Sequence, residues 1–374
     1  VFVLNWLTLG GAERQALLFA DELLKRGHKV TFVGLSTPGI VQDLCAERGI
    51  PCHYWPFHFP SSYREKFKLI MDLARKITSL KPDFIAPYDM VPNLVCALFW
   101  RFTGTKGFVW QQRDGGLTRR AKILEKVAIF LTPRFISNSE HAVDWMCNEL
   151  GVRRKKVRVV RNGVELPALD GSSKSPRWRK KHDIADDIQI VTMVANIHTY
   201  KDHKTLILAW KLVIERHPKP EKLKLVLAGN KQNSWPEIEA MIKINGLESH
   251  VYAPGVVEDI SALLTDTEIV AFSSHHEGVP NAVLEGMAHA KPVVATYIPG
   301  VIETGICYHA LQYFGVNDSV ACAESILYFL NEKDDAMQSG LRNRELIASK
   351  FGVERMADET IRVFEEIHTL KQEL

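Results

Sequence analysis

Two glutamates eight positions apart, Glu277 and Glu285, lie in the run His276-Glu277-Gly278-Val279-Pro280-Asn281-Ala282-Val283-Leu284-Glu285-Gly286-Met287-Ala288. The surrounding pattern predicts a strand over Glu268–Ser273, a loop over Ser274–Pro280 and a helix over Asn281–His289. A helix entered from such a loop presents backbone N–H groups at its start, which suits an anion. Glu277 falls on the loop and Glu285 about one turn inside the helix, so the two carboxylates are set to hold different parts of one ligand with an anion between them. Sugar hydroxyls, a diphosphate and ribose hydroxyls, taken in order, have that layout. Pro280 has no N–H to give a phosphate, a harmless loss in a first helical turn. The expected phosphate donors are the amides of Asn281, Ala282 and Val283, with Gly278 and Val279 nearer the sugar.

The other candidate residues also follow predicted strands, where doubly wound sheets bind ligands. Leu9-Gly10-Gly11-Ala12-Glu13-Arg14 joins the first strand to the first helix, and the paired Gly10 and Gly11 let backbone approach a ligand closely. This is not a G-x-G-x-x-G fingerprint, and the second strand, ending near Gly34-Leu35-Ser36, lacks an acid to grip a ribose. A nicotinamide dehydrogenase is thereby disfavoured. The run from Val194 through Asn196, His198 and Lys201 to Leu206 follows a predicted strand and leads into a helix; Lys201 there is either a solvated helix-start lysine or a cation able to neutralise charge on a leaving phosphate. Arg113 or Asp114, in Trp110-Gln111-Gln112-Arg113-Asp114-Gly115-Gly116, could face an acceptor, although an ordinary surface turn would read the same way. Gly229, in Ala228-Gly229-Asn230, ends a further strand. No D-x-D triplet occurs, so the sequence gives no support for metal-bridged donor binding.

The phrase around Glu277 and Glu285, continued by Lys291-Pro292-Val293-Val294-Ala295-Thr296, resembles the E-x7-E signature of retaining glycosyltransferases of the GT-B type, family 4 (glycosyl transferases group 1). The resemblance implies an α/β fold of two Rossmann-like, doubly wound parallel-sheet domains facing a central cleft. It also implies a nucleotide-diphosphate sugar donor and a glycan or lipid-linked acceptor. Carried over residue by residue, Glu277 orients the sugar hydroxyls and Glu285 grips ribose. Gly10 and Gly11 approach the donor phosphates and acceptor. Pro254-Gly255-Val256-Val257 brackets the nucleobase, Ser137 and Ser139 line the cleft, and Glu303 follows a Pro299-Gly300 loop that replaces the usual paired glycines. Two departures stand out. Asn196 occupies the position of a phosphate-clamping Arg, leaving His198 or Arg14 as alternative second donors, and the loop after Trp110 carries no His. The implied mechanism is retention through attack on the same face, with the leaving phosphate deprotonating the acceptor, Glu277, Lys201 and Arg113 as the catalytic set, and neither cofactor nor metal.

Strand-like and helical runs alternate in two blocks, as parallel sheets covered on both faces require. The 374 residues exceed one ordinary core. The break at Arg161–Pro176 divides an acceptor-binding domain, 1–163, from a donor-binding domain, 164–351, and a C-terminal helix over 352–374 is expected to pack back on the first. The chain opens on Val1 inside a strand, as though a few residues preceded it. A formal net charge of +3 gives no argument for nucleic acid, and the apolar stretch Leu94–Trp100 is too short for a span. Six cysteines without a C-x-x-C pair point to packing roles in a reducing cytoplasm. Cytoplasmic localisation is therefore expected. Arg153–Lys156 and Arg177–Lys181 with Trp178 are either a solvated linker face or a contact with an anionic membrane, and Arg119-Arg120 with Val127–Leu131 offers a second such face. Two rival functions remain: a catalytically silent sugar-nucleotide-binding subunit and a non-hydrolysing UDP-sugar epimerase.

Overall fold

The computed structural model of the chain describes residues 1–113, 116, 122–169, 177–306 and 310–372. Asp114, Gly115, Arg119, Arg120, Cys307 and the 170–176 part of the expected linker lie outside the described residues. The chain forms two compact units, one of Val1–Gly163 with Val353–Leu374 and one of Val164–Gly352.

The first unit is built on β1 (Phe2–Trp6), β2 (Phe32–Thr37), β3 (Cys52–Tyr54), β4 (Phe84–Pro87), β5 (Gly107–Gln112), β6 (Arg134–Ser137) and β7 (Val157–Val159). All are parallel, in the order β3-β2-β1-β4-β5-β6-β7. A sheet covered on both faces has no polar alternation, which is why Phe2-Val3-Leu4 and Phe108-Val109-Trp110 are buried at every position. Helices Gly11–Lys25 and Val353–Gln372 contribute Phe19, Met356 and Phe364 to the core that also holds Phe2 and Phe32. Phe364 meets Phe84 edge-on at 5.0 Å. A separate core around Val3, Phe108 and Trp110 takes Ile77, Leu94 and Ala128 from helices Tyr63–Ser79, Met90–Phe99 and Lys122–Leu131.

The second unit contains β8 (Gln189–Val194), β9 (Leu223–Ala228), β10 (Val251–Gly255), β11 (Ile269–Phe272), β12 (Val293–Thr296) and β13 (Tyr313–Phe314), parallel in the order β10-β9-β8-β11-β12-β13. In both sheets the first strand of the unit sits beside the fourth, so the strand order reverses between β1 and β4 and again between β8 and β11. A crevice opens at such a reversal because the loops on its two sides run to opposite faces of the sheet.

Most expected strands and helices lie within a few residues of their observed bounds. The second strand, expected to end near Gly34-Leu35-Ser36, runs from Phe32 to Thr37, its parallel pairing starting at Phe2 with Phe32. The edge strands β3, β7 and β13 were not expected; runs of two or three residues carry no periodicity. Pro292 stands just before β12, its carbonyl accepting from the Val270 amide at 3.0 Å, as suits a residue without an N–H. Trp178 is 3% exposed and Arg179 5%, and the Arg179 guanidinium faces Asp266. Trp178 and Arg179 are thus taken up in the core of their own unit, while Arg177, Lys180 and Lys181 around them are exposed. Among the described residues no helix is long and apolar enough to cross a membrane.

Helix Lys333–Lys350 packs at Gly340, where a Cβ would overlap the Ala290 carbonyl oxygen. Gly340→Ala is expected to cost about 1–3 kcal/mol of stability through this overpacking, measured as a lowered urea midpoint without a changed m-value.

Candidate active site

In the second unit, β8 feeds the loop Ala195–Asp202 and β11 the loop Ser273–Pro280, on either side of the strand-order reversal. Asp202 caps helix His203–Arg216, its side chain accepting from the Thr205 amide at 3.1 Å. The loops are stitched together by the Asp202 amide donating to the Ser273 carbonyl at 3.1 Å, Ser273 Oγ to the Asp202 carbonyl at 2.7 Å and the His275 amide to the Tyr200 carbonyl at 2.9 Å. This stitching brings Lys201 Nζ onto Glu277 Oε1 in an ion pair. The two side chains are 13% and 12% exposed. Ser274 Oγ donates to the same carboxylate oxygen at 2.8 Å and the Ser274 amide to Thr296 Oγ1 at 3.1 Å. The Lys201 ammonium stands over the Phe272 and Tyr200 rings at 5.0 and 5.2 Å, which favours the charge. His203, with Nδ1 3.1 Å from the Lys201 carbonyl, is pushed down to about 4 by burial and is neutral.

The Glu277 loop ends at Pro280, extended at the N-cap, whose carbonyl accepts the first helical bond from the Leu284 amide at 3.3 Å. The amides of Asn281, Ala282 and Val283 thus precede the i→i−4 ladder of helix Asn281–Ala288, at the end of the dipole that attracts anions. Gly286 lets this helix lie against β11, where a Cβ would sit 2.8 Å from Val270 Cγ2. Glu285 is half-buried on the second turn. Gly278 and Val279 are buried, and Gly300 is required because a Cβ there would overlap the Gly278 carbonyl oxygen.

Asn196 has a structural partner: its Oδ1 accepts from the Asn230 amide at 3.0 Å, and the Ile197 amide donates to the Asn230 carbonyl at 2.9 Å. Gly229 lies where a Cβ would overlap the Ala195 carbonyl oxygen, and its amide donates to the Gly255 carbonyl at 2.8 Å. Gly255 has φ +85°, a backbone region suited to glycine. Val256, next along, is 58% exposed. His198 is half-buried with its ring 4.7 Å from that of Tyr200.

The first unit has its own cluster at the carboxyl ends of its strands. Helix Gly11–Lys25 starts beside Gly10, whose amide donates to Glu13 Oε2 at 3.1 Å. A Cβ on Gly10 would stand 2.6 Å from that oxygen, so the glycine makes room for the carboxyl. Glu13 is 4% exposed. Burial first, then the charge of Asp89 across the β1/β4 reversal, pushes its carboxyl up to about 8. Asp89 itself has φ +73°, an uncommon conformation for a residue with a side chain. Arg113 follows β5, stacks on the Tyr88 ring at 4.9 Å, and donates to Gln111 Oε1 and, at 3.4 Å, to Asn162 Oδ1. Asn138 Nδ2 donates to the Arg113 carbonyl at 3.1 Å. Ser137 and Ser139 are fully buried, and Ser139 caps helix Glu140–Leu150. Glu13, Tyr88, Asp89, Asn162, Ser274 and Thr296 were not singled out by sequence; only Glu13, buried at the first helical turn behind two glycines, left a readable sign.

Chemically, the second unit offers a lysine fixed by a carboxylate beside a helix N-terminus, and the first a buried carboxyl that holds its proton to near-neutral pH. The family model for "Glycosyl transferases group 1" matches residues 188–332, and that for "Glycosyltransferase Family 4" matches residues 9–167. An uncharacterized glycosyltransferase of Haemophilus influenzae is 21% identical over 364 residues, 96% of this chain and 97% of that protein. The capsular polysaccharide biosynthesis glycosyltransferase CapM of Staphylococcus aureus is 23% identical over 61% of this chain and 60% of its own length. HepE of Anabaena, solved with UDP and glucose, superposes with a TM-score of 0.81 at 18% identity over 98% of this chain and 99% of that one.

Removing Lys201 leaves a nearly buried carboxylate without its cation. Lys201→Ala is expected to cost about 3 kcal/mol, and Lys201→Ala with Glu277→Gln less than the sum of the single changes, as read by chemical denaturation of the four proteins. Glu13 carries the opposite kind of signature. Its unfolded carboxyl ionises near 4.5 while the folded one keeps its proton to about 8. Its contribution is complete below pH 4.5 and is lost as pH rises through 8, at up to about 1.4 kcal/mol per pH unit. Glu13→Gln is expected to flatten the fall in stability between about pH 5 and pH 8.5, followed by urea midpoints at each pH.

Proposed function

This chain belongs to the group 1 glycosyltransferases of the GT-B fold, and on that premise we propose that it is a retaining hexosyltransferase. It transfers a sugar from a nucleotide-diphosphate donor to a glycan or lipid-linked acceptor. The observation that carries this reading is the Lys201–Glu277 pair beside the start of helix Asn281–Ala288. A lysine ammonium has three N–H donors. With one committed to Glu277, the group is held where its other donors meet a diphosphate lying on the helix amides. HepE, solved with UDP and glucose, supports a sugar-nucleotide donor. The name of CapM supports polysaccharide biosynthesis as the setting.

In the proposed reaction the bond between the anomeric carbon and the diphosphate oxygen breaks, and charge builds on that oxygen. Lys201 and the amides of Ala282 and Val283 stabilise it without a resident metal ion. The same oxygen takes the proton of the acceptor hydroxyl, whose oxygen bonds to the anomeric carbon on the face the leaving group vacates, so configuration is retained. Glu277 accepts from the sugar hydroxyls through the oxygen lone pairs that Lys201 and Ser274 leave, and Glu285 accepts from ribose. Arg113, braced by Tyr88 and Asn162, orients the acceptor.

Purified protein offered UDP-, GDP- and ADP-sugars without acceptor is expected to release free nucleotide slowly from one of them, which identifies the donor. With that donor, Glu277→Gln is expected to lower kcat about 100-fold while nucleotide Kd changes by less than about threefold. Equal turnover in variant and parent removes Glu277 from the chemistry. Tight nucleotide binding with no turnover, even against a panel of polyprenyl-linked and glycan acceptors, replaces transfer by a binding role.

A further inference from the structure

Helix Lys122–Leu131 carries apolar residues on two faces. One face is ordinary: Ala128 is fully buried, and Leu124 and Ile129 pack against the same core. The other is not. Ile123 is 74% exposed, Val127 43% and Phe130 81%, spaced i, i+4, i+7 so that they form one stripe, with exposed Lys126 beside it. The carbonyl of Leu131, at the end of this helix, accepts from Trp100 Nε1 at 3.1 Å, which brings the Trp100–Phe102 turn alongside. Phe102 there is 72% exposed, and the Arg101 guanidinium lies over the Trp100 ring at 5.4 Å. One residue on, the Thr132 carbonyl accepts from Lys156 Nζ at 2.9 Å.

That end of the helix gathers cations. The Lys156 ammonium is disfavoured first by burial and then by the charges of Arg153, Arg134 and Arg101, which places all four within electrostatic reach of one another. Arg134 is answered by Glu366 at 3.3 Å. Among the described residues no ion pair engages Arg101, Arg153 or Lys156. The surface therefore needs a partner that is apolar along the stripe and anionic at its end.

We propose that this face docks the protein on an anionic lipid bilayer, with Ile123, Val127, Phe130 and Phe102 entering the headgroup boundary and Arg101, Arg153 and Lys156 meeting lipid phosphates. An amphipathic helix lying in the interface plane buries its apolar face about 5–10 Å deep, and long basic side chains keep their charge at headgroup level while their stems cover apolar surface. A second copy of the chain meets the charge requirement poorly, since the same patch would bring like charges together. The inference is independent of the transfer reaction proposed above.

The test uses the intact protein and no sugar nucleotide, so its outcome does not depend on activity. Sedimentation is measured with vesicles of phosphatidylcholine alone and with about 30% phosphatidylglycerol. Binding is expected to the anionic vesicles only, and to weaken in high salt. Val127→Asp with Phe130→Asp is expected to lower the partition coefficient at least about tenfold. Arg101→Gln with Arg153→Gln is expected to lower it about 25-fold, at about fivefold for each charge. Ile244→Asp, at an 83% exposed site in the other unit, is expected to leave it unchanged. All five positions are exposed, so thermal unfolding of the variants should match the parent; the salt and lipid comparisons on the parent stand whether or not it does. Equal binding to both vesicle types, absence of binding to the anionic vesicles, or parental binding by both double variants would each overturn the proposal, and a dimer that Val127→Asp/Phe130→Asp splits would assign the face to a second copy instead.

Discussion

The ammonium of Lys201 and the carboxylate of Glu277 meet because β8 and β11 are neighbours, although 74 residues lie between Val194 and Ile269. Nothing local in either loop would bring them together. The pairing needs β8 to be the strand from which the sheet grows both ways, so that the loops after β8 and β11 leave on opposite faces and still begin side by side. It also needs the polar stitches at Asp202, Ser273 and Ser274, which hold the two loops against each other. Charges this far from solvent are stable only when paired and hydrogen-bonded, and Ser274 with the two aromatic rings completes that requirement. The helix Asn281–Ala288 inherits its position from the same loop.

The first unit repeats the topology with different chemistry. Its strand order also reverses beside the first strand, and there two acids, Glu13 and Asp89, stand in place of a cation and an acid. Burial first, and then the neighbouring charge of Asp89, keeps the proton on the Glu13 carboxyl. One fold thus supports a fixed positive charge in one unit and a neutral, proton-holding acid in the other. The difference comes from which residue types the loops carry, and topology decides only where they stand.

What could be read from the chain follows from how local each signal is. The strand Ile269–Phe272, the loop through Glu277 and the helix Asn281–Ala288 are contiguous, and a contiguous pattern is visible in sequence. The same holds for the glycines at 10, 11 and 229, which announce tight backbone approach although not what approaches. The partnership of Lys201 with Glu277 spans 76 positions and has no local trace. Asn196 shows the limit from the other side: its type marked a departure from a pattern, but only the contact with the Asn230 amide gives it a structural reason. Strands β3, β7 and β13 escaped notice because pairing along a sheet edge, rather than their own periodicity, makes them strands. Helix Lys122–Leu131 reads as apolar in sequence, yet which apolar residues face outward depends on how the helix is rotated against its core.

Gly229 and Gly300 leave no room for a Cβ against Ala195 and Gly278, so the loops of the second unit touch backbone to backbone at both points. Such contacts cannot be traded for side-chain contacts one substitution at a time, because each intermediate carries a clash. Divergence in what this unit binds is then confined to residues that project past the contacts, such as Val256 and His198, while the loop courses stay fixed. A mutational library aimed at new donors should vary those positions and hold the glycines constant; a library that samples the glycines would spend many of its members on destabilised proteins.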